Sequence, residues 1–196
     1  MRLSRNELKD LMKNKMAKAG LKEDHAETAA EILTWADERG YHSHGAVRVE
    51  YYSERIAKGG ITADPKITWK ENGPCSGILD GDNGCGYVIA KLGMEKAIEM
   101  AKKNGVAIVG MSNLSHSGSL GYYTEMAAKE DLAAISFCQS DPMAVPYGGT
   151  EPYYGTNPIS FAAPTADERM VVFDMATTVQ AWGKILDKRS QGAEIP

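Results

Sequence analysis

The chain has 196 residues, 43% hydrophobic and 24% charged, a balance that permits a buried core and does not suit a disordered tail. Its net charge is −4 and its lysines and arginines form no cluster, which argues against nucleic acid as a partner, since phosphate binding needs a basic face. The three cysteines, Cys75, Cys85 and Cys138, are odd in number and contain no CxxC pair, so neither a disulfide framework nor a structural zinc site is indicated, and a reducing compartment, the cytoplasm, is expected.

The N-terminus opens into a charged amphipathic pattern with no apolar signal-peptide core. No stretch approaches the roughly 18 apolar residues of a membrane span, so no membrane partner is expected. Ser4 with Glu7 forms a capping-box pattern, followed by Leu8, Leu11, Met12 and Met16 at helical spacing and by Gly20 as the stop. A second helix is expected over 23–39, with Ala26, Ala29, Ala30, Leu33 and Ala36 facing inward and Gly40 ending it. A third takes Val47, Tyr51, Tyr52 and Ile56 as its apolar face and ends at Gly59-Gly60. Residues 1–62 therefore read as a small three-helix segment.

From Pro65 the pattern changes. Short strands at 67–69 and 76–79 flank an Asn72-Gly73-Pro74 turn, and a helix covers 87–103. The runs 106–110 and 133–138 are continuously apolar, which predicts strands buried on both faces, with a helix over 120–129 between them. A Gly/Pro/Tyr-rich loop, 139–157, leads to strands at 159–162 and 170–174 and to a helix beginning near Gln180. Together these predict an α/β fold: the helical segment 1–62, then an α/β domain, 63–196, with a mixed, largely parallel sheet and helical crossovers. Pro196 follows a helix and a short turn so closely that it reads as an interruption, and an incomplete domain is expected.

Of the four histidines, three lie in two turn-like stretches, Arg39-Gly40-Tyr41-His42-Ser43-His44-Gly45 and Asn113-Leu114-Ser115-His116-Ser117-Gly118. Imidazole exchanges a proton near neutral pH without a large environmental shift, so histidines outside any apolar stripe point to chemistry. His116 follows a strand end, where ligands gather in open α/β sheets; its alternative role is to cap the next helix. Asp141 follows the next strand and, if the two strands are parallel neighbours, would orient the His116 ring; its alternative is an Asp-x-Pro turn. His44 and Arg48 lie one helical turn apart, with Tyr52 a further turn on, so that Arg48, Tyr52 and the free N–H groups of the helix start would clamp an anion. Otherwise Arg48 pairs with Glu50 or Asp37. Gly81, Gly84 and Gly86 imitate a dinucleotide fingerprint, but the spacing is GxxGxG and no acid ends a strand about 20 residues on, so a polar turn and helix start are expected. No P-loop, HExxH or metal-ligand cluster is present, and no metal is expected.

The two histidine stretches, together with Gln139-Ser140-Asp141-Pro142, Tyr154-Gly155-Thr156-Asn157-Pro158 and Phe173-Asp174-Met175-Ala176-Thr177-Thr178, resemble the malate/L-lactate dehydrogenase family that lacks the usual Rossmann fingerprint. The likeness runs nearly end to end. It implies oxidation of a small 2-hydroxy acid with NAD (NADP being possible), or reduction of a keto or imino acid, by a homodimer or higher homo-oligomer. It further implies that His116 is the proton acceptor and that Ser43, His44 and Arg48 line the substrate and nicotinamide pocket. Ser140, Asp174, Met175 and Ala176 would contact the dinucleotide, with Thr156 and Asn157 nearby. Arg48 would then grip the substrate carboxylate, His44 a substrate oxygen or the nicotinamide amide. Family members continue well past the position of Pro196, so these 196 residues alone are expected to turn over weakly or not at all; the rival reading is an inactive fragment that only binds or dimerises.

Overall fold

A computed structural model describes residues 2–167 and 169–194. The chain divides into two compact units, Met1–Tyr122 and Tyr123–Pro196.

In the first unit, α1 (Arg5–Lys18) starts at the expected capping box: the Glu7 N–H donates to Ser4 Oγ at 3.3 Å and the Ser4 N–H to Glu7 Oε2 at 2.8 Å. Met12 and Met16 are buried, whereas Leu11, expected on the same stripe, is exposed. Helix α2 (Glu23–Glu38) buries Ala26, Ala29, Ala30, Leu33 and Ala36 as the spacing predicts, and Trp35 as well. Ion pairs such as Lys9–Glu27 (2.7 Å) and Arg5–Glu38 (2.8 Å) line the α1–α2 seam. Two 3-10 turns, His42–His44 and Ala46–Arg48, precede α3 (Val49–Ala57), so this helix starts later than expected and leaves Val47 exposed.

Strands β1 (Thr68–Gly73) and β2 (Ser76–Gly84) form an antiparallel hairpin across the predicted turn. Helix α4 (Gly86–Asn104) crosses over to β3 (Ile108–Leu114), which runs parallel to β2 in the register Ser76↔Ile108 to Asp80↔Ser112. The helical segment and this sheet belong to one unit, with α2 packed on α4.

Helix α5 (Gly121–Ala128) spans the division. In the second unit β4 (Ala134–Phe137), β5 (Ile159–Pro164) and β6 (Met170–Met175) form an antiparallel sheet in that order, followed by α6 (Trp182–Ser190). At its centre Ser160 Oγ donates to the Phe173 carbonyl at 2.8 Å and lies 2.7 Å from the Thr124 hydroxyl.

The α/β class is observed, but parallel pairing is confined to β2–β3 among the named strands. Strands β3 and β4 belong to different sheets, one in each unit. Both are edge strands with an open face: Ile108 is 72% exposed and Phe137 77% exposed, against the expectation of strands buried on both sides.

Candidate active site

The first histidine stretch is shaped by Asp37 at the end of α2. Its Oδ2 accepts the Ala46 N–H at 2.7 Å, and its Oδ1 lies 3.0 Å from His42 Nδ1. A Cβ at Gly45 would come within 2.1 Å of Oδ1, so only glycine lets the chain turn this closely around the carboxylate. The N–H of Ala46 is thereby taken up and is not free for an anion. Arg48 pairs with neither of the acids considered for it: its Nε donates to the Ser43 carbonyl at 2.7 Å, and Glu50 is in an ion pair with Lys15. Ser43 Oγ lies 2.9 Å from His44 Nδ1.

The second stretch leaves the end of β3 and is fastened to the start of α4. The Gly86 N–H donates to Ser115 Oγ at 2.9 Å, and a Cβ on Gly86 would come within 2.0 Å of the Ser115 carbonyl. The glycine-rich stretch therefore lets a helix start press against the His116 loop, a role that spacing alone does not disclose.

These two anchors bring His116 to His44, Arg48 and Tyr52. The His44 and His116 rings stack with centroids 5.7 Å apart. Tyr52 Oη lies 2.7 Å from His116 Nδ1, and the Tyr87 hydroxyl donates to Tyr52 Oη at 3.1 Å. Tyr52 is thus the partner of His116 Nδ1 within the first unit; Asp141, expected to orient the ring, is an exposed residue of the second unit. Burial pushes the Tyr52 phenol up to about 12, so it stays protonated. His116 is pushed down to about 3, first by burial and then by the charges of His44, Arg48 and Arg55. By surface area His116 is nonetheless an exposed residue, so the direction and not the depth carries the chemistry: a pKa below the ordinary histidine value leaves the ring neutral at pH 7.

In the second unit, Ser140, Thr156 and Asn157 come together. The Thr156 N–H donates to Ser140 Oγ at 2.8 Å, the Ser140 N–H to Asn157 Oδ1 at 3.1 Å, and Thr177 Oγ1 to the Asn157 carbonyl at 3.0 Å. Gly155 sits where a Cβ would come within 2.3 Å of the Ser140 carbonyl. Asp174 and Met175 end β6, with Ala176 just beyond. Neutral hydroxyl and amide groups of this kind suit the ribose and carboxamide of a dinucleotide.

The sequence pattern of the malate/L-lactate dehydrogenase family matches residues 3–196. This chain belongs to that family. Among the family's curated relatives, the ureidoglycolate dehydrogenase (NAD(+)) of Escherichia coli O157:H7 is 58% identical over 196 residues, covering 100% of this chain and 56% of its own. A malate dehydrogenase of Pyrococcus abyssi is 41% identical over 100% of this chain and 54% of its own. Of solved structures, the malate dehydrogenase from Pyrococcus horikoshii OT3 superposes with a TM-score of 0.90 at 40% identity, over 94% of this chain and 53% of that one. The chain thus spans about half the length of the relatives it matches. Among the described residues, no group of three or more His, Cys, Asp or Glu could hold a metal ion, and no helix is long and apolar enough to cross a membrane.

Proposed function

We propose that this chain carries the proton-handling and substrate-gripping side chains of an NAD-dependent 2-hydroxy-acid dehydrogenase whose substrate is (S)-ureidoglycolate, oxidised to oxalurate in the breakdown of allantoin. The observation that carries the reading is the cluster of His44, Arg48, Tyr52 and His116 around one neutral imidazole. The choice of substrate is supported by the 58% identity to a ureidoglycolate dehydrogenase.

When bound, NAD supplies the hydride acceptor for the carbinol carbon. Ser140, Thr156, Asn157 and the Asp174-Met175-Ala176 strand end would hold it. His116 takes the carbinol hydroxyl proton at Nε2 in the tautomer whose Nδ1–H donates to Tyr52 Oη, the one that leaves Nε2 its lone pair. A general base must be neutral before it acts, and His116 is. Arg48 spends Nε on the Ser43 carbonyl, which fixes the guanidinium plane and presents its two terminal nitrogens to a carboxylate. The bound carboxylate offsets the positive charge that helps hold His116 down, so the base gains strength as substrate arrives. His44 and Ser43 hold a substrate oxygen or the nicotinamide amide.

The test is NADH formation by the purified protein with (S)-ureidoglycolate, malate and L-lactate, beside its oligomeric state in solution. The highest kcat/KM with ureidoglycolate, from a homodimer or larger assembly, is expected. Preference for malate or lactate moves the assignment within the family, and binding without turnover of any 2-hydroxy acid favours a binding fragment.

A further inference from the structure

Tyr87, the second residue of α4, is 1% exposed; its ring meets that of Tyr52 edge to face at 5.6 Å, and its hydroxyl donates to Tyr52 Oη at 3.1 Å. The same ring lies against the turn that follows His116. Gly118 has φ +77°, and a Cβ there would come within 2.4 Å of Tyr87 Cε1. One side chain thus bears on the His116 loop through its ring and on the hydrogen-bond partner of His116 through its hydroxyl. We propose that Tyr87 is a positioning residue for His116, holding the loop in place and favouring the neutral imidazole through Tyr52. This rests on the reading of His116 as the base.

The sign follows from the direction of donation and is the same for either tautomer. If Tyr52 donates to Nδ1, donation from Tyr87 polarises the Tyr52 hydroxyl and strengthens that bond, which exists only while Nδ1 is unprotonated. If Nδ1–H donates to Tyr52 Oη, Tyr87 competes for the same oxygen and weakens an interaction that the imidazolium needs most. Either way the Tyr87 hydroxyl disfavours protonation. The groups facing this chain are His44 from the first 3-10 turn, Arg48, Tyr52 and Arg55 from the 3-10 turn and α3, and Cys85 at the start of α4. Burial pushes the Cys85 thiol up to about 11, so it stays neutral with the phenols. His44 is the one other member of this set with an ordinary range near neutrality. The titration must therefore be read at the His116 ring itself.

The experiment follows the ring-nitrogen NMR signals of His116, assigned with His116→Ala, across the pH range in which the protein stays folded, beside the pH dependence of kcat/KM. Tyr87→Phe raises the His116 pKa by about half a unit or more and moves the acid limb of kcat/KM upward with it. In a Tyr52→Phe background the same change has no effect. Placing 3-fluorotyrosine at 87, a stronger donor of nearly the same shape, lowers the pKa further and decides the matter if Tyr87→Phe does not fold. An unchanged His116 titration in folded Tyr87→Phe overturns the proposal, as does a shift that persists without the Tyr52 hydroxyl. Loss of less than tenfold activity in His116→Ala overturns the base assignment instead, and the titration still reports on Tyr87.

Discussion

The Tyr52 hydroxyl stands 2.7 Å from Nδ1 of His116 across a separation of 64 residues in sequence. A carboxylate in that position would stabilise the imidazolium by charge; a phenol pushed up to about 12 cannot. As the proposed base, His116 would therefore be neutral and weak at rest and would gain strength from the bound acid. That dependence distinguishes this arrangement from a histidine–carboxylate pair.

His116→Ala should lower kcat by roughly 10²–10⁴ with a smaller change in KM, because the lost proton transfer belongs to the transition state. Steady-state kinetics with ureidoglycolate and NAD check it. A loss below tenfold would pass the role to His44, whose ring stacks on His116 at 5.7 Å.

Arg48→Lys tests the carboxylate grip. Lysine keeps the charge but has neither the planar fork nor the Nε that now donates to the Ser43 carbonyl. KM for the 2-hydroxy acid is expected to rise about 10- to 100-fold, the worth of one or two charge-assisted hydrogen bonds, with kcat changing less. Equal losses in kcat and kcat/KM would instead make Arg48 a transition-state contact.

The fold was legible wherever its cause is local. The Ser4–Glu7 capping box, the alanine face of α2 and the Asn72-Gly73-Pro74 hairpin each follow from residues within a few positions of one another. The burial of β3 and β4 was not, because a run such as Ile108-Val109 marks a strand without saying whether it lies inside a sheet or at its edge. The candidate site divides in the same way. His44, Arg48 and His116 announce themselves by residue type. Tyr52 was legible as a neighbour of Arg48 but not as the partner of Nδ1, and Tyr87 behind it was not legible at all, since a buried phenol reads as core until its hydroxyl partner is seen.

Acid should destabilise the fold through His116. Its folded pKa lies below its ordinary value, so at a pH between the two the unfolded chain binds a proton that the folded chain refuses. Stability is therefore full above about pH 6.5, the ordinary histidine value, and falls as pH drops from there toward about 3. His25, lowered first by burial, contributes with the same sign. Urea midpoints should decline from pH 7 to pH 5, and His116→Gln should flatten that decline; an unaltered slope in the variant would show that the His116 ring protonates as readily in the fold as outside it.

Gly86→Ala reverses a familiar expectation. Alanine in place of glycine within a helix usually stabilises, by about 0.5–1 kcal/mol. Here the new Cβ would lie 2.0 Å from the Ser115 carbonyl and 2.5 Å from that of His116, both backbone atoms that cannot swing aside. Either α4 must lift from the loop, breaking the bond from the Gly86 N–H to Ser115 Oγ, or the loop must move and carry His116 with it. The substitution should destabilise by at least about 1 kcal/mol, as overpacking does, and lower kcat beyond what the loss of folded protein explains. Thermal unfolding and kcat per folded molecule separate the two effects. A variant as stable and as active as the parent would mean that α4 does not set the position of His116.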